Sequence, residues 1–208
     1  MNTEPAALLP TSWHRAWTAL GLTPAADLQQ RLLSAWAEPQ RHYHTLQHLS
    51  ECLTHFETTH ALAERPGEVA IALWFHDAIY DLKGKDNELR SAQWAAQELQ
   101  HSGADETLCQ RVHALIMATC HDAAPTEPDA QLLVDIDLAI LGASPERYAE
   151  YDQQVRAEYA WVPQLIYGFK RKQVLQGFLQ RPQIYSTAHF QQALEIQARS
   201  NLRKATGA

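Results

Sequence analysis

Cysteine and positive charge are both scarce in this 208-residue sequence. There are three cysteines, an odd number, and none forms a CxxC pair, so we expect neither a disulfide framework nor a structural zinc site, and a reducing compartment fits best. The 17 Lys and Arg stand against 24 Asp and Glu, giving a formal net charge of −7. Because an acidic chain repels polyanions, general nucleic-acid binding is not expected. Small anionic substrates remain compatible, since a metal ion and a few local cations can override the overall charge.

Long apolar runs and strand patterns are also missing. No stretch reaches the roughly 18 uncharged apolar residues that a membrane-spanning helix needs, and the start, MNTEPAALLP, does not resemble a signal peptide. We therefore expect a cytoplasmic protein without a membrane span. Valine is sparse and alternating patterns are absent, which does not favour a strand-rich fold. Hydrophobic residues nevertheless make up 46 % of the chain, enough for a folded core.

Helical spacing dominates what is present. Apolar residues recur every three or four positions between about His42 and His60, which predicts a long amphipathic helix. The stretches EVAIALWFHDAIYD and QLLVDIDLAILG are apolar on nearly all sides and predict buried helices. We therefore predict an all-α fold with one domain over residues 1–208. Its metal-binding core would cover about residues 40–142, and C-terminal helices over residues 145–203 would pack on that core.

Polar side chains interrupt these apolar segments at a few positions. His44 and His48 are four residues apart, and His76-Asp77 follows the apolar run ALWF. Asp137 lies inside the second apolar segment. An ionised carboxylate in such a segment is costly unless a cation or hydrogen bonds compensate. A divalent metal would resolve these costs together, and imidazole and carboxylate ligands suit Mn, Fe, Ni, Zn or Mg to different degrees.

The geometry expected of helices places these ligands within reach of one metal. His44 and His48 would share a helix face, and the adjacent His76 and Asp77 would point about 100° apart. Asp137 is favoured as a ligand over Asp135, which would support the site from behind. Two imidazoles and two carboxylates would leave positions for water and a phosphoryl oxygen, as metal-assisted hydrolysis requires. The plainer alternative is a structural helical protein whose buried charges pair with one another.

The same pattern resembles a known family. A His, a later His-Asp pair and a more distant Asp are the ligands of the HD superfamily of metal-dependent phosphohydrolases. The segment RHYHTLQH also resembles the Tyr-His-Asn-x-x-His signature of cyclic-nucleotide phosphodiesterases, with Thr45 in place of Asn. Over residues 10–203, the chain resembles a group of predicted bacterial HD phosphohydrolases in the stretches RHYHTLQH, WFHDAIYD, DNELRSA, ATCH, DIDLAILG, VRAEY and ARSNL.

The resemblance implies an HD-domain helical bundle and a role for each matching residue. The metal ligands would be His48, His76, Asp77 and Asp137. Asp77 would also lie nearest the attacking water, and His44 would protonate the leaving oxygen. Asp81 or Glu88 would position water. The candidates for substrate contacts are Arg41, His121, Tyr159 and Lys170, together with Arg171 and Arg199.

The predicted function is therefore the hydrolysis of a phosphomonoester, phosphodiester or pyrophosphate bond in a small, nucleotide-like substrate. The alternatives are a non-catalytic regulatory HD protein that binds metal and nucleotide, and an oxygenase with paired iron. The oxygenase would need further His ligands, for which His44 and His121 are the candidates. The expected partner is the small phosphorylated substrate, and a homodimer is left open.

Overall fold

The computed structural model describes residues 5–121 and 123–207. Over these residues it contains ten α-helices and no strand, with 72 % helix, which confirms the all-α prediction. The helices are α1 (Pro5–Leu20), α2 (Leu28–Trp36), α3 (Leu46–Thr59), α4 (Pro66–Phe75), α5 (Asn87–His101), α6 (Glu106–Met117), α7 (Pro128–Asp137), α8 (Pro145–Glu158), α9 (Gln164–Gln180) and α10 (Ala188–Thr206). Short 3-10 helices cover His60–Leu62, Ala118–Cys120 and Leu138–Gly142.

Contacts divide the chain into two compact units, Met1–Ile136 and Asp137–Ala208. The prediction of a single domain stays a prediction. None of the helices within the described ranges combines the length and the apolar character that crossing a membrane requires.

Helix α4 is the centre of the first unit. Every residue from Val69 to Phe75 is buried, because α1, α3, α5 and α6 all pack against this helix. That surround explains why its sequence is apolar on nearly all sides. Trp74 links three elements: its indole donates to Ser12 in α1 at 3.3 Å, and its carbonyl accepts from the Trp36 indole of α2 at 3.0 Å. The end of α4 is therefore held rigidly from two sides.

The limits of two helices differ from the prediction. Helix α3 begins at Leu46 rather than near His42, since Thr45 has extended backbone and its hydroxyl accepts from the Gln47 N–H. Helix α4 ends at Phe75, with His76 as its C-terminal cap. The expectations that His44 shares a helix face with His48, and that Asp77 lies within a helix, are therefore wrong. Both residues lie in turns that adjoin helix ends.

The second unit is built from the 3-10 helix Leu138–Gly142 and helices α8 to α10. Gly142 lies so close to α10 that an added Cβ would stand 2.6 Å from the Leu194 Cβ. The Asn201 amide of α10 donates to the carbonyls of Leu141 and Ala143, both at 2.9 Å. Close approach and hydrogen bonding together fix α10 against the 3-10 helix. Ser144 caps α8 by accepting from the Arg147 N–H, with Pro145 in the first turn.

Candidate metal centre

Four side chains from three helices come together in one group. His48 and Cys52 lie one turn apart on α3, His76 caps α4, and Asp137 is the last residue of α7, whose first nine residues belong to the first unit. One nitrogen, sulfur or oxygen atom from each lies within 4.8 Å of the others. His48, Cys52 and His76 are buried and Asp137 is half-buried. A group of this composition could hold a metal ion.

The two imidazoles have the geometry of a shared ligand pair. Their Nε2 atoms are 3.2 Å apart, and an ion about 2.1 Å from both would subtend an angle of about 100° there, which tetrahedral and octahedral coordination both accept. The His76 Nδ1 lies 2.8 Å from the Leu73 carbonyl. Because a carbonyl only accepts, this bond places the proton on Nδ1 and leaves the Nε2 lone pair directed into the group. The Tyr43 hydroxyl is hydrogen-bonded to His48 Nδ1 at 3.0 Å and orients that ring in the same way.

Asp77 stands beside the group. Its Oδ2 lies 3.3 Å from His76 Nε2 and 3.7 Å from His48 Nε2. Three of the four predicted ligands, His48, His76 and Asp137, are therefore in the group. Asp77 lies beside it without belonging to it, and its Oδ2 approaches both imidazoles. Asp137 of α7 is in the ligand group, whereas Asp135 of the same helix is completely buried.

Cys52 is the member of the group that the sequence reasoning missed. Its Sγ lies 3.7 Å from His48 Nδ1 and 3.8 Å from His48 Nε2. The signal was available, because His48 and Cys52 are four residues apart in a helical pattern and must share a face. A buried cysteine is also an ordinary small core residue, so the spacing does not single it out without the structure.

Arg41 has a different place from the one expected. Its guanidinium is buried and donates to the carbonyls of Asp77 at 2.6 Å, Ala78 at 2.9 Å and His44 at 3.2 Å, while Nε binds the Glu38 carboxylate at 3.1 Å. Arg41 therefore ties the turn before α3 to the turn after α4. Its expected contact with substrate phosphate stays a prediction. In the structure, Arg41 positions the backbone of His44 and Asp77.

His44 lies next to the metal group although it is not part of α3. Its ring stacks on Tyr80 with centroids 4.0 Å apart and an interplanar angle of 25°, and its centroid is 6.0 Å from that of His48. The stacking partner comes from the turn after α4, so the same two turns that Arg41 joins also hold this imidazole. A half-buried histidine held beside the ligands is in a suitable place for proton transfer.

Asp81 and Glu88 are not in the ligand group found among the described residues. Asp81 organises the turn before α5: its carboxylate accepts from the Lys83 N–H, and the Asn87 side chain bonds both its N–H and its carbonyl. Glu88 is half-buried in the first turn of α5. Asp81 thus has a structural task, and the water-positioning role of both carboxylates stays a prediction.

The other candidate contacts lie elsewhere in the chain. His121 follows the 3-10 helix Ala118–Cys120 in a left-handed conformation with φ of 57° and is half-buried. Tyr159 caps the end of α8 and Lys170 is exposed on α9, both in the second unit. Arg199 donates to the carbonyls of Leu179, Arg181 and Pro182. The role of these residues as substrate contacts stays a prediction.

Comparison with known proteins adds no family to these observations. No protein-family model matches the chain, and neither the curated proteins nor the solved structures give a match. The all-α fold and the ligand group therefore rest on the structure, and the likeness to HD phosphohydrolases rests on the motifs quoted above.

Proposed function

We propose that this protein is a metal-dependent phosphohydrolase of the HD type that acts on a small phosphorylated, nucleotide-like substrate. The observation that carries the proposal is the pair of buried imidazole Nε2 atoms 3.2 Å apart, with carboxylates and a thiol around them. Two imidazoles beside two carboxylates form a ligand set for a divalent cation, and a site of that kind suits phosphate chemistry.

Each residue has a task in the proposed reaction. His48, His76, Asp77 and Asp137 would hold the ion, which supplies a Lewis acid and lowers the pKa of bound water. Asp77, whose Oδ2 faces both imidazoles, would orient the attacking water and receive its proton. His44 would donate a proton to the leaving oxygen. Arg41 would hold the backbone of Asp77 and His44 in place.

The ligand set also bears on which metal we propose. Two imidazoles and a thiol within reach are softer than the all-oxygen set that Mg²⁺ prefers. We therefore favour Mn, Fe, Ni or Zn over Mg. The Cys52 thiol, if deprotonated, would shift the preference further toward Zn or Fe.

The test measures phosphate release from a panel of nucleotides and phosphate esters after reconstitution with each metal. Asp77→Asn keeps the size of the side chain and should abolish turnover, whereas Asp27→Asn, at an exposed position, should behave like wild type. Turnover that persists in Asp77→Asn would refute the mechanism. A wild type that binds metal but releases no phosphate from any substrate would instead favour the non-catalytic regulatory protein.

A further inference from the structure

The second unit contains three buried polar atoms for which the described residues provide no hydrogen-bond partner. They are the hydroxyls of Tyr148 and Tyr167 and the Nη2 of Arg171. We call these three residues the Arg171 cluster. Tyr148 is only 6 % exposed, so its hydroxyl has no compensating contact with bulk water. Buried donors without partners are rare in folded proteins and usually mark an absent water or ligand.

The three residues are neighbours on two helices. Tyr167 and Arg171 are one turn apart on α9, and Tyr148 and Tyr151 are similarly placed on α8, with ring centroids 5.6 Å apart. The Arg171 guanidinium carbon lies 4.9 Å from the Tyr151 ring centre. Its Nε donates to Asp152 of α8 at 3.3 Å. These contacts fix the guanidinium over α8 and engage Nε, but not Nη2.

The protonation states make the cluster a set of donors. Burial raises the pKa of both the Tyr148 and the Tyr167 hydroxyl, so both keep their protons at neutral pH. Burial acts to lower the pKa of Arg171, but the neighbouring Tyr151, Tyr167 and Asp152 outweigh it, and that pKa is raised above its usual value. The guanidinium is therefore charged, and it can only donate.

Local charge supports an anionic ligand. Asp152 is the acidic partner of Arg171, and its side chain is 46 % exposed, so water screens that pair. Helix α9 has three basic residues and no acidic one. The second unit as a whole has nine Arg and Lys against six Asp and Glu, whereas residues 1–136 have eight against eighteen. The unit that contains the cluster is thus positive within an acidic chain.

We propose that the Arg171 cluster binds a small oxyanion, a phosphate or carboxylate group, between α8 and α9. An oxyanion has enough acceptor oxygens for Nη2 and for both hydroxyls, and a guanidinium suits planar or tetrahedral oxyanions especially well. A single water molecule accepts only two hydrogen bonds, one fewer than these three donors offer. Entry of the ligand requires a local movement of α9. Leu175 is the one fully buried residue on that helix, so the movement disrupts little of the core.

The test uses the whole 208-residue chain and measures binding of inorganic phosphate and of acetate by calorimetry and thermal unfolding, against chloride at equal ionic strength. The double variant Tyr148→Phe with Tyr167→Phe keeps both rings and removes only the hydroxyls. Arg171→Lys keeps the positive charge but removes the planar guanidinium and its paired N–H donors. Both variants should weaken oxyanion binding at least about tenfold, as loss of charge-assisted hydrogen bonds implies. Lys172→Gln, which removes the exposed cation next to Arg171, should bind as the wild type does.

Several results separate this site from the metal centre and from a site filled by water. His76→Ala should retain the oxyanion binding, so failure of the proposed hydrolase function leaves this inference standing. Binding of both anions supports a general oxyanion site, and binding of one alone narrows its class to phosphate or carboxylate. No binding by the wild type, or equal binding by wild type and the Tyr148 and Tyr167 double variant, would overturn the proposal and leave water as the occupant.

Discussion

At the scale of single residues, the candidate metal group depends on the chemistry of its side chains and on the contacts that hold them in place. His48, His76, Asp77 and Asp137 were recognisable because ionisable groups interrupt apolar segments, where each would be costly alone. Cys52 was not, since a thiol fits any core. The support from Arg41 was not visible either, because its partners are backbone carbonyls, which every residue has.

The thiol gives a first prediction. If Cys52 coordinates the metal, the cobalt-substituted protein should show a sulfur-to-cobalt charge-transfer absorption band that disappears in Cys52→Ser. Cys109→Ser, which alters a buried cysteine on α6, should keep the band. An unchanged spectrum in Cys52→Ser would mean that the sulfur lies beside the ion without binding it.

Arg41 gives a second prediction. Lysine cannot reach the carbonyls of His44, Asp77 and Ala78 together, so Arg41→Lys should lower the free energy of unfolding by about 2–4 kcal/mol, given what buried charged hydrogen bonds contribute. Urea denaturation measures this. Arg15→Lys, at an exposed position, should change stability by less than about 0.5 kcal/mol. If Arg41→Lys left the free energy of unfolding unchanged, the contacts to these carbonyls would contribute little to stability.

The Tyr43 hydroxyl gives a third prediction. Its bond to His48 Nδ1 orients the ring, and loss of such a contact to a metal ligand usually lowers metal affinity about 10- to 100-fold. Titration of Tyr43→Phe against a competing chelator measures the change, with Tyr185→Phe, whose hydroxyl donates to the Leu138 carbonyl in the second unit, as the control. Equal affinity in the wild type and both variants would argue against coordination by His48.

At the scale of elements, apolar spacing predicted that helices are present, but local hydrogen bonding decided where they end. The pattern from Tyr43 to Phe56 continues through the beginning of α3, yet the Thr45 cap interrupts the helix there. Threonine is one of the residues that cap helices, so Thr45 suits the beginning of α3. The position of His44 therefore follows from a turn, which periodicity cannot predict.

That cap gives a fourth prediction. Thr45→Ala removes the acceptor for the Gln47 N–H and should cost about 1 kcal/mol of stability, whereas Thr45→Asn should be nearly neutral. Thermal and urea unfolding of the two variants side by side provide the measurement. If Thr45→Asn were as destabilised as Thr45→Ala, capping would not be the task of this side chain.

At the scale of the whole molecule, the burial of α4 accounts for the position of the proposed centre. The helix is enclosed by α1, α3, α5 and α6, so its end delivers His76 into a buried site where α3 presents His48 and Cys52. The sequence predicted this enclosure from an apolar stretch without a polar face. The sequence did not reveal that the first unit is acidic and the second is basic, because this division of charge depends on where the boundary between the units falls. The proposed oxyanion site in the second unit could therefore not be inferred from the sequence.

Metal content tests the central claim most directly. Mass spectrometry on purified protein reconstituted with Mn, Fe, Ni or Zn should find about one metal ion per chain in wild type. The ion should be lost in His76→Ala and Asp137→Ala, and retained in His101→Ala, which changes an exposed histidine at the end of α5. A wild type that binds none of the four metals, or a His76→Ala variant that binds as much as wild type, would contradict the account.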